Sequence, residues 1–186
     1  ELLPLAGISG VMIFDIRTLA MIATLFALLS AFAKALVLRN SPALKGAATW
    51  PAGAALIAVG MILIGLRDFI SPILSEIITN TVMVLGAALI TVDVDYFYGH
   101  KPRKLLYALV VLAVLAGFIH FTLFDPNITM RIVIVSAAFS LLGALAAGRY
   151  AAVHLRERKR EFVTLMGAFV FGLHSLFMAV RAVYST

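Results

Sequence analysis

Six apolar stretches, each close to the length that spans a bilayer, follow one another along this chain with only short breaks between them. They run roughly from Asp15 to Leu38, Trp50 to Leu66, Ser75 to Tyr98, Lys104 to Phe124, Ile128 to Tyr150 and Phe162 to Tyr184. A helix crossing the hydrocarbon core needs about 20 mostly apolar residues. Nothing here alternates with the period of two that a membrane barrel requires. Hydrophobic residues make up 63% of the 186-residue chain and charged residues 13%, with a mean hydropathy of +1.07. That balance leaves too few polar groups to coat a soluble core. The pattern predicts an all-α, polytopic transmembrane helix bundle forming a single domain over residues 1–186.

The breaks carry turn chemistry. "RNSPALKGAATWP" separates helices one and two, "FISPILSE" precedes helix three with Ser75 as the expected N-cap, and "YGHKPRK" and "FDPNIT" bracket helix four. "HLRERKRE" has no breaker, so helix five is expected to run past the membrane. Every connection is short, which predicts that successive helices pack as antiparallel neighbours. The first helix does not read as a signal peptide, because its apolar run is too long and no small-residue cleavage site follows.

Lysine and arginine set the orientation. Of the 15 basic residues, all but four fall at 34–45, 101–104 and 149–160, which predicts that this side faces the cytoplasm of a bacterial inner membrane. The N-terminus and Thr186 are then outside. Trp50, Tyr96, Tyr98, Tyr107 and Tyr150 fit an aromatic belt at the inner interface. The chain opens at Glu1 without methionine, so an earlier native start is expected. A seventh helix beyond Thr186 is also expected, since it would return the chain to the cytoplasm, where an effector could hang.

The four exceptions are the candidates for function. Arg17 begins helix one, Arg67 ends helix two, Arg131 begins helix five and Arg181 ends helix six, all near the outer boundary. Ionisable groups at membrane depth usually face the bundle interior and pair, and the guanidinium fork suits carboxylate or phosphate. Taken singly, each could be a snorkelling side chain with a local acid, Asp15 for Arg17, Asp68 for Arg67 and Asp125 for Arg131. Taken together, four arginines on four helices at one depth predict an anion site open to the outer leaflet. Asn80, one turn after Glu76, lies at the same level, as do His120 near the end of helix four and His174 seven residues before Arg181. Either histidine could equally be a satisfied interhelical hydrogen-bonder.

Other features predict less. Asp93 and Asp95, in "TVDVDYFYGH", point to different helix faces and are read as interface ion pairs with Lys101, Arg103 and Lys104. "RERKRE" is read as an anchor near anionic head groups. The small residues of "LGAAL", "LLGALAAG" and "LMGAFVFG" permit close helix approach or a homodimer face. The absence of cysteine excludes disulfides and thiolate chemistry. No metal site is predicted, because the histidines lack ligand-spaced carboxylates. No nucleotide-binding glycine loop or triad-like setting is present, so no catalytic residue or cofactor is predicted. The +6 formal charge is placed against membrane lipids, not nucleic acid.

Several of these motifs, in their order, resemble the N-terminal seven-helix sensor domains of bacterial membrane-bound diguanylate cyclases, the GGDEF-type signalling proteins. The matching segments are "FDIRTLAM", "WPAG", "GMILIGLRDFISPILSEIITNTVMVLGAALI" and "FTLFDPNITMRIVIVSAAFSLLGALAAGRY", together with the arginine near the end of helix six. The resemblance implies an outward-facing receptor for a small anionic or amphiphilic ligand and a seventh helix leading to a cyclase domain absent from this chain. It also implies a homodimeric parent. Two rivals stand beside it. A proton-coupled carrier would use Asp93, Asp95, His120 and His174 and should show inverted repeats, whereas an anchor or scaffold needs only the small-residue faces. A histidine-kinase output would suit the same sensor.

Overall fold

A computed structural model of the chain describes residues 16–40, 49–156 and 162–185. Among the described residues all regular structure is helical. The helices are α1 (Ile16–Asn40), α2 (Thr49–Gly65), α3 (Thr79–Phe97), α4 (Lys104–Ile119), α5 (Ile128–Arg156) and α6 (Phe162–Tyr184). A π-helical turn, Ile73–Ile78, leads into α3, and another, His120–Phe124, follows α4. Five of the helical runs are long and apolar enough to cross a membrane. The sixth expected span is shorter: α2 has 17 residues, or about 25 Å at 1.5 Å per residue. It stops at Gly65 because residues 66–70 break into successive turns, with Arg67 N–H bonded to the Ile64 carbonyl at 3.3 Å and Phe69 N–H to Leu66 at 2.8 Å.

Consecutive helices pack on one another, as the short loops require, and α3 is the hub, touching α2, α4 and α5. The core lies among α3, α4 and α5, where Val84, Ala88, Val114, Phe118, Ala138 and Leu142 are buried. α1 and α6 are peripheral, and their apolar side chains such as Phe26, Phe32, Phe169 and Phe177 are exposed, as suits helices that meet lipid and not a core.

α2 and α3 approach each other backbone to backbone. A Cβ built on Gly53 would lie 2.5 Å from the Gly86 carbonyl oxygen, and one on Gly86 would lie 2.6 Å from that of Gly53. Only two glycines allow the backbones to meet there, so the small residues of "LGAAL" do mark a helix contact.

The ends of the elements explain the breaks. Asn127 caps α5, its Oδ1 accepting the Met130 N–H at 3.1 Å. The expected cap at Ser75 is displaced: the helical run begins earlier, and Ser71 Oγ accepts the Leu74 N–H at 3.4 Å. Pro72 then occupies the first helical position, where its missing N–H costs nothing. α3 closes with Gly99 at φ 71°, the Gly99 N–H on the Tyr96 carbonyl at 3.0 Å and the His100 N–H on Asp95 at 2.8 Å, a Schellman motif. The helix over 128–156 extends six residues past the expected Tyr150. The anchor residues 157–161 and the loop 41–48 lie outside the described residues.

Candidate functional site

The ends of α2, α4 and α6 and the starts of α3 and α5 gather at one end of the bundle. Two adjoining cavities open there. The first, about 320 Å³, has Arg67, Arg131, Arg181, Asn80 and Glu76 in its wall. The second, about 540 Å³, runs deeper between α2 and α6 with α3 and α5 as its floor. Ile64, Asn80, Val135 and Arg181 line both. They are therefore two parts of one space: a mouth with three guanidinium groups and one carboxylate, and an apolar trough behind it.

Arg131 is the fixed member of the mouth. It pairs with Glu76 of the π turn before α3 and reaches Thr122 Oγ1 at 3.4 Å. The pairing with Asp125 expected from sequence proximity does not occur: Asp125 is exposed in the turn before α5. The helical start at Asn127 turns Arg131 inward, toward the neighbouring helix. Arg67 and Arg181 are exposed, and the described ion pairs include no partner for either. Asp68 sits exposed in the turn after α2. Asn80 donates an amide N–H to the Glu76 carbonyl at 2.7 Å, which holds its side chain at the junction of mouth and trough.

The trough is built from flexible and bulky apolar side chains. Met61, Met83 and Met178 line it, three of the seven methionines in the chain, and methionine surfaces adapt to varied apolar shapes. His174 stands in its wall, edge-on to Phe139 at 6.1 Å. At the deep end Phe171 is backed by Tyr150, stacked at 5.7 Å, and by Trp50, edge-on at 6.5 Å. Val170, His174 and Arg181 line the trough and are also exposed, so the space opens sideways along α6.

Of the candidates read from the sequence, Arg67, Asn80, Arg131 and Arg181 therefore meet at the mouth, and His174 joins them through the trough. His120 does not. It lies exposed at the start of the π turn after α4, packed on Phe121 and Phe124 at 4.8 and 6.2 Å. Asp15 and the Arg17 side chain lie outside the described residues.

At the opposite end the two aspartates of α3 are buried and fully engaged, but not by the basic loop residues expected. Asp95 accepts the Tyr107 hydroxyl at 2.8 Å and Arg149 Nε at 2.6 Å. Asp93 accepts the Trp50 N–H at 3.1 Å and the Thr49 hydroxyl at 3.3 Å, with Lys34 Nζ 3.9 Å away. Asp93 thus caps α2 from another helix, satisfying a donor that a helix start leaves open. Their different partner sets follow from the different faces that residues two apart present. Among the described residues no three His, Cys, Asp or Glu side chains gather as a metal site would need.

The sequence reading missed Glu76 as the partner of Arg131. The signal was available: a lone acid inside an apolar run, at the depth of an arginine on another helix, calls for an interhelical pair. Comparison of the chain with protein-family models, with curated proteins and with solved structures found no match in any of the three.

Proposed function

We propose that this chain is a membrane sensory domain that binds a small anionic amphiphile, head in the arginine mouth and apolar body in the trough. The observation that carries the reading is the juxtaposition itself: Arg67, Arg131 and Arg181 converge on the opening of a trough lined by apolar side chains. Arginine forks bind carboxylate and phosphate oxygens in pairs, and largely apolar cavities with a few convergent polar groups are where small molecules bind. In this reading the mouth faces outward from a bacterial inner membrane, supported by the small share of basic residues at that end.

Signalling requires that the ligand favour one helix arrangement over another. The π turns beside the mouth supply a segment that can rearrange, since such turns recur at functional sites. The resemblance of the sequence motifs extends the reading to a cytoplasmic diguanylate cyclase output in a homodimeric, longer parent. The carrier alternative loses support from Asp93 and Asp95, whose carboxylates are taken up by structural partners at the far end from the cavity mouth.

The test is mass spectrometry of small molecules that co-purify with the protein, beside an Arg67→Ala, Arg181→Ala double variant. These two arginines are chosen because Arg131 also holds Glu76, so its removal would disturb the fold. The expected result is an anionic amphiphile retained by the native protein and lost from the variant. Identical bulk lipid on both would reduce the arginines to boundary anchors and remove the receptor reading.

A further inference from the structure

We propose that the trough is a length gauge: it selects single-chain anionic amphiphiles by chain length, and Phe171 is the stop that sets the limit. This rests on the binding reading above and goes further, to the ligand's shape and to the residue that reads it.

The trough has one charged end and, at the other, the ring of Phe171 with Tyr150 and Trp50 behind it. Between Asn80 at the mouth and Thr91 at the deep end, α3 advances eleven residues, or about 16 Å. From Arg181 down to Phe171, α6 advances ten residues, about 15 Å. All four residues line the cavity, so both walls give the same depth. A carbon–carbon bond of about 1.5 Å carries an extended chain forward by about 1.3 Å, so the depth matches about a dozen carbons.

The stop is rigid for a physical reason. Phe171 is held from behind by the stacked ring of Tyr150 and the edge of Trp50. The Tyr150 ring in turn packs edge-on to Tyr98 at 5.5 Å. Trp50 belongs to the first turn of α2, whose backbone is pinned by Asp93. α5 also approaches at this depth, and a Cβ on Gly143 would lie 3.2 Å from the Phe171 carbonyl oxygen. A ring so braced does not swing aside for a longer chain, whereas the methionines nearer the mouth adapt to the chain's width. The sideways opening along α6 admits a ligand directly from the bilayer, which suits an amphiphile that partitions there.

The experiment measures binding of straight-chain alkyl carboxylates to the purified protein in nanodiscs, over a series of about 8 to 18 carbons bracketing the length set by bond geometry. The native protein is expected to bind best near a dozen carbons and to lose affinity beyond. Phe171→Ala should move the optimum longer by about three carbons, the depth that the ring vacates. Ala87→Leu, which fills the middle of the trough, should move it shorter. Arg67→Ala with Arg181→Ala should lower affinity about tenfold at every length and leave the optimum in place.

Affinity that rises with length without a ceiling, or an optimum that neither Phe171→Ala nor Ala87→Leu moves, overturns the gauge while leaving the arginine site standing. Failure of every carboxylate to bind overturns both. A diacyl phosphatidylglycerol of the same charge serves as the other source of an anionic head. If it competes as well as the best single chain, the trough is a groove for bulk lipid and selects no length.

Discussion

Asn80 and Asp95 stand on the same helical run about 22 Å apart, and the bundle treats charge in opposite ways around them. Near Asp95 carboxylates are buried and matched: two aspartates, with donors from α1, α2, α4 and α5 closing on them. Near Asn80 positive charge is in excess: one glutamate and three arginines around open space, with Arg67 and Arg181 exposed. The first arrangement joins helices. The second makes one such joint, Glu76 with Arg131, and leaves the guanidinium groups of Arg67 and Arg181 at an open rim. Polar groups at membrane depth are costly, and in the receptor reading proposed above the two arginines without a described ion-pair partner beside an apolar cavity are there for the ligand.

That contrast predicts where substitutions hurt stability. The largest loss is expected from Asp95→Ala, which strands Arg149 and the Tyr107 hydroxyl. Breaking such a pair costs about 3 kcal/mol or more, visible as a large drop in the thermal midpoint in detergent. Gly86→Val forces a side chain against the Gly53 carbonyl, and overpacking of this kind costs about 1–3 kcal/mol, read from the same melts. Glu76→Gln keeps the shape but removes the charge from a partly exposed pair, for which about 1–2 kcal/mol is expected. The smallest effect belongs to Arg181→Ala, within about 0.5 kcal/mol in the absence of added ligand. An Arg181→Ala variant that melts as early as Asp95→Ala would erase the distinction between the two ends. One that melts as the native protein yet needs more alkyl carboxylate for the same stabilisation would sharpen it.

The helices were legible because bilayer-length apolar runs, broken by Ser–Pro, Gly and Asp–Pro–Asn, leave few other folds open. Their partners were less so. α2 and α4 are apolar on nearly every side, so the pattern carries no sign of which face meets which neighbour. Arg149 was visible as a basic residue on the aspartate side, but its pairing with Asp95 depends on how α5 is rotated against α3. His120 was placed by its depth near the end of α4, but depth does not say which face it occupies, and it lies on the exposed one. The convergence of Arg67, Arg131 and Arg181 was legible for a simpler reason: depth alone brings helix ends together, whatever the rotation.

The π turn before α3 is a stretch of helix holding one residue more than an α turn would. Removing a residue there would restore α geometry and carry everything ahead of it, Ser71 and Pro72 included, about 100° around the axis. Gly86 and Asp95 would keep their positions. The turn carrying Arg67 and α2 with Gly53 lie ahead of it, so the rim of the cavity and the α2–α3 joint are both set by this one turn. A single-residue change of chain length there would therefore be felt at the mouth and at the Gly53–Gly86 contact together.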